Sequence, residues 1–382
     1  MSGEYIHERP DWPKLRWDDT KLSSLLADVR YRQGRLLGRM EGLGFQLRSE
    51  ANLTTLTTEV VKTSVIEGEQ LDAEAVRSAI ARKLGLDVGA TSHASRDVEG
   101  IVEMMLDATQ KYAQRLTAER LFDWHSALFP AGRSGIRRIK VGAWRTLESG
   151  PMQVVSGPLS RERVHLEAQS AVGIEAEMSV FLDWFEAATG SDPVIRAGVA
   201  HFWFVTIHPF EDGNGRIARA IAGMALARAE GIAERFYSAS AQIEAERKQY
   251  YLQLERSQRG GVDITSWLEW FLSCLGRALA RAETDLANVL RKAKVWERIN
   301  EAPANERQRK VINRLLDGFE GKLTTSKYAR IVKSSEDTAL RDIKNLIDRG
   351  VIVRNEGGGR SVSYRLVEPC NGLTTKATDI RS

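Results

Sequence analysis

An almost wholly apolar segment that runs straight into a polar, glycine-rich loop constrains this fold more than any other feature. Residues 194–207, VIRAGVAHFWFVTI, are apolar on nearly every side, so a helix formed by them must lie in the interior. The string HPFEDGNGR follows, from His208 to Arg216. Because proline restricts the residue before it to extended backbone, we expect Pro209 to end the helix and to leave His208 extended. The interior would then hold the loop rigidly.

The glycines of this loop and the helix that follows them form the pattern of an anion site. Gly213, Asn214 and Gly215 lead into the helical sequence RIARAIAGMALARA. The first amides of a helix lack partners, and its dipole is positive at that end. Arg216 and Arg219 are three residues apart and therefore share one face beside the same terminus. Two guanidinium groups and several amides suit a di- or triphosphate.

An acidic residue and a histidine complete the chemistry of the loop. Asp212 lies in a positive field, which indicates a divalent cation between it and the phosphates. His208 can accept a proton near neutral pH. Each feature alone is more often structural, since helix-end histidines, Gly-Asn-Gly turns and paired arginines are common. Together they predict a site for phosphoryl or nucleotidyl transfer.

The loop resembles the Fic motif, HPFx[D/E]GNGRxxR. The matching positions are His208, Pro209, Phe210, Asp212, Gly213, Asn214, Gly215, Arg216 and Arg219. The resemblance implies a mainly α protein with a helical Fic core. It also implies transfer of AMP from ATP to a Ser, Thr or Tyr hydroxyl of a target protein, with release of pyrophosphate.

The resemblance also implies a role for each polar residue of the motif. His208 would be the catalytic base that deprotonates the target hydroxyl, and Asp212 would hold Mg²⁺. The amides of the Gly-Asn-Gly turn, together with Asn214, would cradle the α- and β-phosphates. Arg216 and Arg219 would bind the outer phosphates.

Three further features follow from the same resemblance. Phe210 would anchor the loop in the core. The extended run over residues 150–168 resembles a β-hairpin flap that holds the target segment as an added strand. Tyr250 and Tyr251 fall where relatives have a Tyr-Tyr pair near the adenosine. Adjacent helical tyrosines more often pack than bind, so aromatic spacing leaves both interpretations open.

A second short motif, TSVIEG from Thr63 to Gly68, resembles the inhibitory motif [S/T]xxxE[G/N] of the same family. Thr63 and Glu67 are four residues apart and share one face of a helix, and Gly68 permits close approach at its end. The resemblance implies that Glu67 pairs with Arg219 and withholds the donor that the γ-phosphate requires. A lone helical glutamate is usually solvated, but its position ahead of a full motif predicts autoinhibition by Glu67.

The composition is that of a folded protein, with 42% hydrophobic and 28% charged residues and 9 tryptophans among 382 residues. The sequence contains no unbroken run of about eighteen apolar residues, which is the length that would indicate a membrane span. The 2 cysteines have neither metal-ligand nor disulfide spacing, which suits a reducing compartment. We therefore expect a cytoplasmic protein with no membrane partner.

Changes of pattern along the chain predict its domains. Helical periodicity runs through the front part, where Asp72 is the expected N-cap of the helix AEAVRSAIARKL. The pattern gives way to Gly and Ser near residue 90, and a short helix-rich unit begins after residue 303. The predicted regions are 1–90 (helical, with the inhibitory helix), 91–295 (Fic core), 304–368 (winged helix-turn-helix) and 369–382 (tail). A homodimer contact through the front helices is a further expectation.

The C-terminal unit has the order of a winged helix-turn-helix, with three helices and a two-stranded ribbon. Residues 307–367 hold 14 Lys+Arg against 7 Asp+Glu, which favours a DNA partner. The basic candidates are Lys333, Arg341, Lys344 and Arg360. Winged helices also serve as dimer or protein-docking modules, so both interpretations stay open.

Three functions therefore remain compatible with the sequence. The first is an autoinhibited AMP transferase that uses ATP and Mg²⁺. The second, in the same site, is removal of AMP from targets or transfer of another nucleotidyl or phosphoryl group. The third is a nucleotide-sensing DNA-binding regulator, which the basic end alone favours.

Overall fold

The computed structural model describes residues 5–86, 94–150, 152–156, 163–187, 190–300, 304–316, 319, 321–355 and 362–367. The chain forms two compact units, Met1–Glu283 and Thr284–Ser382. Its secondary structure is mainly helical, as the sequence predicts. Within the described ranges, no helix has the length and apolar character needed to cross a bilayer.

Three helices form the front of the first unit. They are α1 (Asp19–Glu41), α2 (Phe45–Ile66) and α3 (Ala73–Lys83). The prediction that Asp72 is an N-cap is confirmed, because its side chain accepts a hydrogen bond from the backbone N–H of Glu74. The front of the chain is therefore helical, and the end of α2 carries the segment predicted to be inhibitory.

The rest of the first unit is built around two consecutive helices, Pro193–Ile207 and Asn214–Glu230, most of whose residues are buried. Its helices are α4 (Arg96–Gln110), α5 (Ala118–Leu128), α6 (Ile174–Glu186), α7 (Pro193–Ile207), α8 (Asn214–Glu230), α9 (Ala239–Ala245), α10 (Arg247–Gln258) and α11 (Thr265–Asn300), whose residues from Thr284 onward belong to the second unit. From Val194 to Ile207, every residue of α7 except Arg196 is buried, which confirms the interior position predicted from its apolar sequence. This buried helix delivers its end directly to the polar loop.

A close crossing of α7 and α11 fixes the buried helix. The carbonyl of Gly198 accepts a 2.8 Å hydrogen bond from the indole nitrogen of Trp267. A β-carbon added at Gly198 would come within 2.8 Å of a methyl carbon of Leu268. Glycine at this position therefore leaves room for the side chains of Leu268 and Phe271 to pack against α7, which becomes a rigid support for the loop that follows it.

Two antiparallel pairs of short strands lie between α5 and α6. They are β1 (Arg133–Ser134) with β2 (Arg137–Arg138), and β3 (Gln153–Ser156) with β4 (Arg163–Glu167). The second pair has Gln153 opposite Glu167 and Ser156 opposite Arg163, with an irregularity after Val154. Strands β3 and β4 fall inside residues 150–168, the run predicted to be a flap, and the residues that connect these two strands lie outside the described ranges.

The second unit has the predicted order of three helices and two strands. Its elements are α12 (Glu306–Leu316), α13 (Thr325–Val332), α14 (Glu336–Asp348), β5 (Ile352–Arg354) and β6 (Tyr364–Leu366), the strands being antiparallel. Its core includes Val311, Tyr328 and Ile343. Arg341 and Lys344 are exposed on α14, whereas Arg360 and the predicted tail lie outside the described residues. Assignment as a winged helix-turn-helix stays a prediction.

Candidate functional site

The expectation that His208 is extended is wrong. His208 closes the C-terminus of α7 in the left-handed region, with φ 53° and ψ 59°, and its backbone N–H donates to the carbonyl of Phe204. This conformation ends the helix as efficiently as an extended residue would. The left-handed conformation costs a non-glycine residue about 1 kcal/mol or more, so contacts with the surrounding structure must stabilise His208 in it. Strain of this kind is frequent at functional sites.

The imidazole of His208 is set up to accept a proton. Its Nδ1 lies 3.4 Å from the carbonyl of Val205, and since a carbonyl can only accept, this contact assigns the ring proton to Nδ1. Nε2 then carries the free lone pair. Burial, and next the positive charge of Arg145, lower the pKa of His208 to about 4. The ring is therefore a neutral base across the physiological pH range.

The backbone amides that the sequence predicts to cradle phosphates lie at the N-terminus of α8. The first intrahelical bond runs from Ile217 N–H to the carbonyl of Gly213, so the amides of residues 214–216 precede it. Gly213 is left-handed, with φ 78°, and a β-carbon there would meet the ring of Phe129 at 2.9 Å. Glycine is therefore required for this turn, which presents the helix amides to an anion.

Asn214 acts on the loop in a way the sequence did not indicate. Its side-chain Oδ1 accepts from the backbone N–H of Phe210, and its Nδ2 donates to the Phe210 carbonyl, at 3.0 and 2.9 Å. Phe210 is fully buried, as expected of an anchor, and stacks on His125 with ring centroids 4.2 Å apart. The Asn214 side chain thus braces the loop, and its backbone amide is the group available to a phosphate.

Arg219 is held by the segment predicted to be inhibitory. Its Nη2 donates to a carboxylate oxygen of Glu67 at 2.6 Å, and its Nε donates to the hydroxyl of Thr63 at 2.6 Å. The side chain of Arg219 is 2% exposed. The predicted pairing of Glu67 with Arg219 is present, and Thr63 joins it on the same helix face.

The Glu67 carboxylate also lies over the anion cradle. A β-carbon added at Gly215 would fall 2.2 Å from a Glu67 oxygen and 3.2 Å from Nη1 of Arg219. That Nη1 is buried and has no hydrogen-bond partner among the described residues. A buried donor without a partner is costly and points to a missing acceptor. The space above Gly215 therefore suits the predicted phosphate, and Glu67 partly fills it.

Arg216, the other arginine of the motif, is bound by a residue that the sequence analysis missed. Its Nη1 donates to a carboxylate oxygen of Glu69 at 2.6 Å, and its guanidinium lies 5.1 Å from the ring centroid of Phe129. Its Nε is a second buried donor with no partner among the described residues. The only sequence signal for Glu69 was an acidic residue just after the inhibitory motif. Both motif arginines therefore meet carboxylates from the end of α2.

Asp212 can hold a divalent cation next to this cradle. It is partly exposed, accepts from the backbone N–H of Gly213 at 2.6 Å and receives the hydroxyl of Ser134. No cluster of three or more His, Cys, Asp or Glu side chains forms a metal cage in the described part of the chain. Magnesium commonly uses one or two carboxylates together with substrate phosphates. The donors around Asp212 fit that mode of binding.

The two tyrosines predicted near the adenosine lie in different surroundings. Tyr250 is 2% exposed, and its hydroxyl lies 2.9 Å from Nε2 of His201. Tyr251 is partly exposed, and its hydroxyl lies 3.4 Å from the carbonyl of Ile66 at the end of α2. Tyr250 therefore packs in the core, as the structural interpretation of the pair expects. An adenosine contact remains a prediction for Tyr251, which has accessible surface beside the site.

Arg145 is a second residue that the sequence analysis missed. Its Nε donates to the carbonyl of His208 at 2.8 Å, its Nη2 donates to the carbonyl of Gln169 at 2.6 Å, and its backbone N–H donates to the carbonyl of Pro209. The side chain is buried, with 3% of the residue exposed. Arg145 therefore ties the left-handed His208 backbone to the segment that follows β4, and nothing in the local sequence singled it out.

Replacing Arg145 tests this positioning role. We expect Arg145→Lys, in a Glu67→Gly chain, to lower kcat for nucleotide transfer about ten- to a hundredfold, since lysine lacks the fork that binds two carbonyls. Arg145→Gln should lower it similarly and should also shift the acid limb of the pH profile upward, because loss of the cation raises the pKa of His208. The measurement is the initial rate from pH 4.5 to 8. Identical pH profiles for Arg145→Lys and Arg145→Gln would contradict the effect of the Arg145 charge on the pKa of His208.

Comparison with known families places the motif in a recognised domain. Residues 115–226 match the Fic/DOC family, and residues 5–86 match a domain of unknown function, DUF4172. A Fic/DOC domain is therefore present, and the segment from His208 to Arg219 lies inside it. The second match covers most of the helical front.

Proteins named protein adenylyltransferase Fic are similar to this chain at modest sequence identity. A protein adenylyltransferase Fic of Nematostella vectensis is 31% identical over 110 residues, which are 28% of this chain and 23% of that protein. One of Culex quinquefasciatus is 27% identical over 228 residues, 56% of this chain and 39% of that protein. The chain thus spans less than half the length of each relative. A crystal structure of a Fic family protein from Desulfovibrio desulfuricans has a TM-score of 0.51 and 19% identity, covering 90% of this chain and 96% of that one, which shows the fold alone.

Proposed function

We propose that this protein is an adenylyltransferase that moves AMP from ATP to a Ser, Thr or Tyr hydroxyl of a target protein, and that Glu67 inhibits it. One observation carries the proposal. A neutral His208 at the end of a buried helix borders an amide cradle flanked by two buried arginines, each with a donor that has no described partner. That arrangement supplies both a proton acceptor and a polyphosphate site.

The chemistry follows from these groups. The target oxygen attacks the α-phosphorus of ATP, a new O–P bond forms, and the bond to the β-phosphate oxygen breaks so that pyrophosphate leaves. Nε2 of His208 takes the hydroxyl proton. The amides of residues 214–216 and the guanidinium groups of Arg216 and Arg219 bind the negative charge of the phosphates. Mg²⁺ held at Asp212 would neutralise the departing pyrophosphate.

In the resting form, a bound nucleotide would lack the contact between its γ-phosphate and Arg219. Glu67 engages Arg219 and lies over Gly215, where the negative charge of a phosphate would otherwise be placed. A carboxylate there takes the donor and also repels the γ-phosphate. The proposed enzyme therefore stays inactive until the end of α2 moves away from α8.

Partners are proposed for two other parts of the chain. In the described residues β3 and β4 pair only with each other, so each keeps an edge to which an extended target segment can add. Exposed Arg341 and Lys344 on α14 suit a DNA backbone, although Glu336 and Asp337 begin the same helix. We also propose a homodimer contact through the front helices.

Labelled ATP tests the proposed function. We expect the full-length Glu67→Gly chain, incubated with Mg²⁺, to acquire label on protein from ATP labelled at the α-phosphate and none from ATP labelled at the γ-phosphate. Label from the γ-phosphate would identify phosphoryl transfer instead. A chain that binds ATP without acquiring either label would favour a nucleotide sensor. Release of AMP from labelled protein would indicate that the site instead removes AMP from targets by hydrolysis.

A further inference from the structure

The carboxylate of Glu69 forms an ion pair with Arg216, just as the carboxylate of Glu67 does with Arg219. We infer that Glu69 is a second inhibitory group, which competes with the nucleotide's phosphates for Arg216 and so weakens ATP binding. The inference rests on the proposed function and adds to its regulation. Glu67 would keep Arg219 from orienting the nucleotide productively, and Glu69 would keep Arg216, in the first turn of α8, from binding the phosphates.

A single turn places both carboxylates. The backbone N–H groups of Glu67 and Glu69 both donate to the carbonyl of Ser64 at 3.0 Å, and that of Gly68 donates to the carbonyl of Val65 at 3.0 Å. Gly68 is left-handed, with φ 88°. This is the hydrogen-bond pattern with which a glycine closes a helix C-terminus. The positions of Glu67 and Glu69 relative to α8 are therefore set by one fixed turn and not by two independent loops.

Arg216 has few ways to bind a phosphate while Glu69 is in place. Its side chain is 5% exposed, one face lies against the ring of Phe129, and Nη1 is bonded to Glu69. A guanidinium binds phosphate best through two parallel N–H groups. ATP must therefore displace Glu69 to use the edge formed by Nη1 and Nη2, whereas the edge that carries Nε is not bonded to Glu69.

The two carboxylates differ in how readily they leave. The side chain of Glu69 is 47% exposed, whereas that of Glu67 is 30% exposed and its arginine is 2% exposed. A half-exposed carboxylate regains most of its hydration when it swings into water, so its ion pair is the weaker competitor. Glu69 thus lowers the apparent affinity for ATP without abolishing binding, whereas Glu67 determines whether the bound nucleotide reacts.

Nucleotide titrations separate these effects. We expect Glu69→Gln in the full-length chain to bind MgATP at least about fivefold more tightly than the parent by isothermal titration. Glu69→Ala should shift affinity in the same direction, which excludes a new contact from glutamine. Affinity for adenosine, which has no phosphates, should stay the same in both variants.

A matched control removes one negative charge from α2 itself, since Glu69 lies just beyond the end of that helix. Glu50 is 54% exposed and pairs with Arg77 at 2.7 Å, so Glu50→Gln tests for a general effect of charge on ATP binding. If the Glu69 variants bind MgATP no more tightly than Glu50→Gln does, the inference is wrong. If they do not bind MgATP at all, and neither does Glu67→Gly, the proposed function fails with it. If Glu67→Gly acquires label as expected but the Glu69 variants bind MgATP like the parent, only the inference about Glu69 is wrong and the proposed function stands.

Discussion

Glu67→Gly should raise the rate at which the full-length chain labels itself with AMP by about a hundredfold. The substitution returns Nη2 of Arg219 to the site and removes a negative charge from the space over Gly215. Two unit charges 4 Å apart interact by about 4 kcal/mol at an effective dielectric of 20, and solvent at the partly exposed Glu67 reduces this. About 3 kcal/mol of restored interaction corresponds to roughly a hundredfold in rate.

The increase must come from the carboxylate and not from a loosened helix. Glu67→Gln keeps the length of the side chain but removes its charge, so we expect an intermediate rate. Glu67 caps the C-terminus of α2, whereas Glu50 lies inside that helix and is bonded to Arg77. Glu50→Gly therefore weakens α2 at least as much as Glu67→Gly does, and should leave labelling at the parent level. A Glu67→Gly chain that turns over ATP no faster than the parent would show that Glu67 does not inhibit.

Removing Glu67 should also have a measurable effect on stability. The hydrogen bond between Arg219 and Glu67 joins a buried cation to its partner, and such bonds contribute about 1.5–3 kcal/mol. We therefore expect a lower thermal midpoint for Glu67→Gly, partly restored by MgATP because the phosphates replace the lost acceptor. The inhibitory contact thus stabilises the resting structure as well as blocking the site.

Features set by local chemistry were predictable from the sequence. The apolar pattern of α7 placed it in the interior, and the side chain of Asp72 capped α3 where a cap was expected. The four-residue spacing of Thr63 and Glu67 put both on one helix face, and both now contact Arg219. In each case the deciding interaction lies within a few residues or follows a recognised motif.

Features set by contacts between distant segments were not predictable in this way. Glu69 and Arg216 are 147 residues apart, and Arg145 lies 63 residues from His208. The left-handed backbone of His208 illustrates the same limit. The local rule for a residue before proline favours an extended conformation, but the helix end and the Arg145 bond to the His208 carbonyl together stabilise the other one.

His208→Ala, made in the Glu67→Gly chain, should lower AMP transfer by about 10²–10⁴-fold while MgATP still binds. The loss reflects the missing base, because the phosphate contacts come from α8 and its arginines. Alanine is disfavoured at the left-handed position, so His208→Asn is the matched variant, since asparagine adopts that conformation more readily. Both variants should retain the helical circular dichroism of the parent. Either one transferring AMP at the rate of the Glu67→Gly chain would remove the imidazole from the mechanism.

The pH dependence provides an independent test of the same group. Because burial and the charge of Arg145 lower the pKa of His208 to about 4, the base stays neutral well below pH 6. The Glu67→Gly chain should then keep nearly its full rate at pH 5.5 with saturating MgATP. A histidine with an ordinary pKa near 6.5 would have lost about nine-tenths of its neutral form at that pH. An acid limb centred near pH 6.5 would therefore mean that the reacting imidazole is solvated, and that the buried base inferred here is not the one that takes the proton.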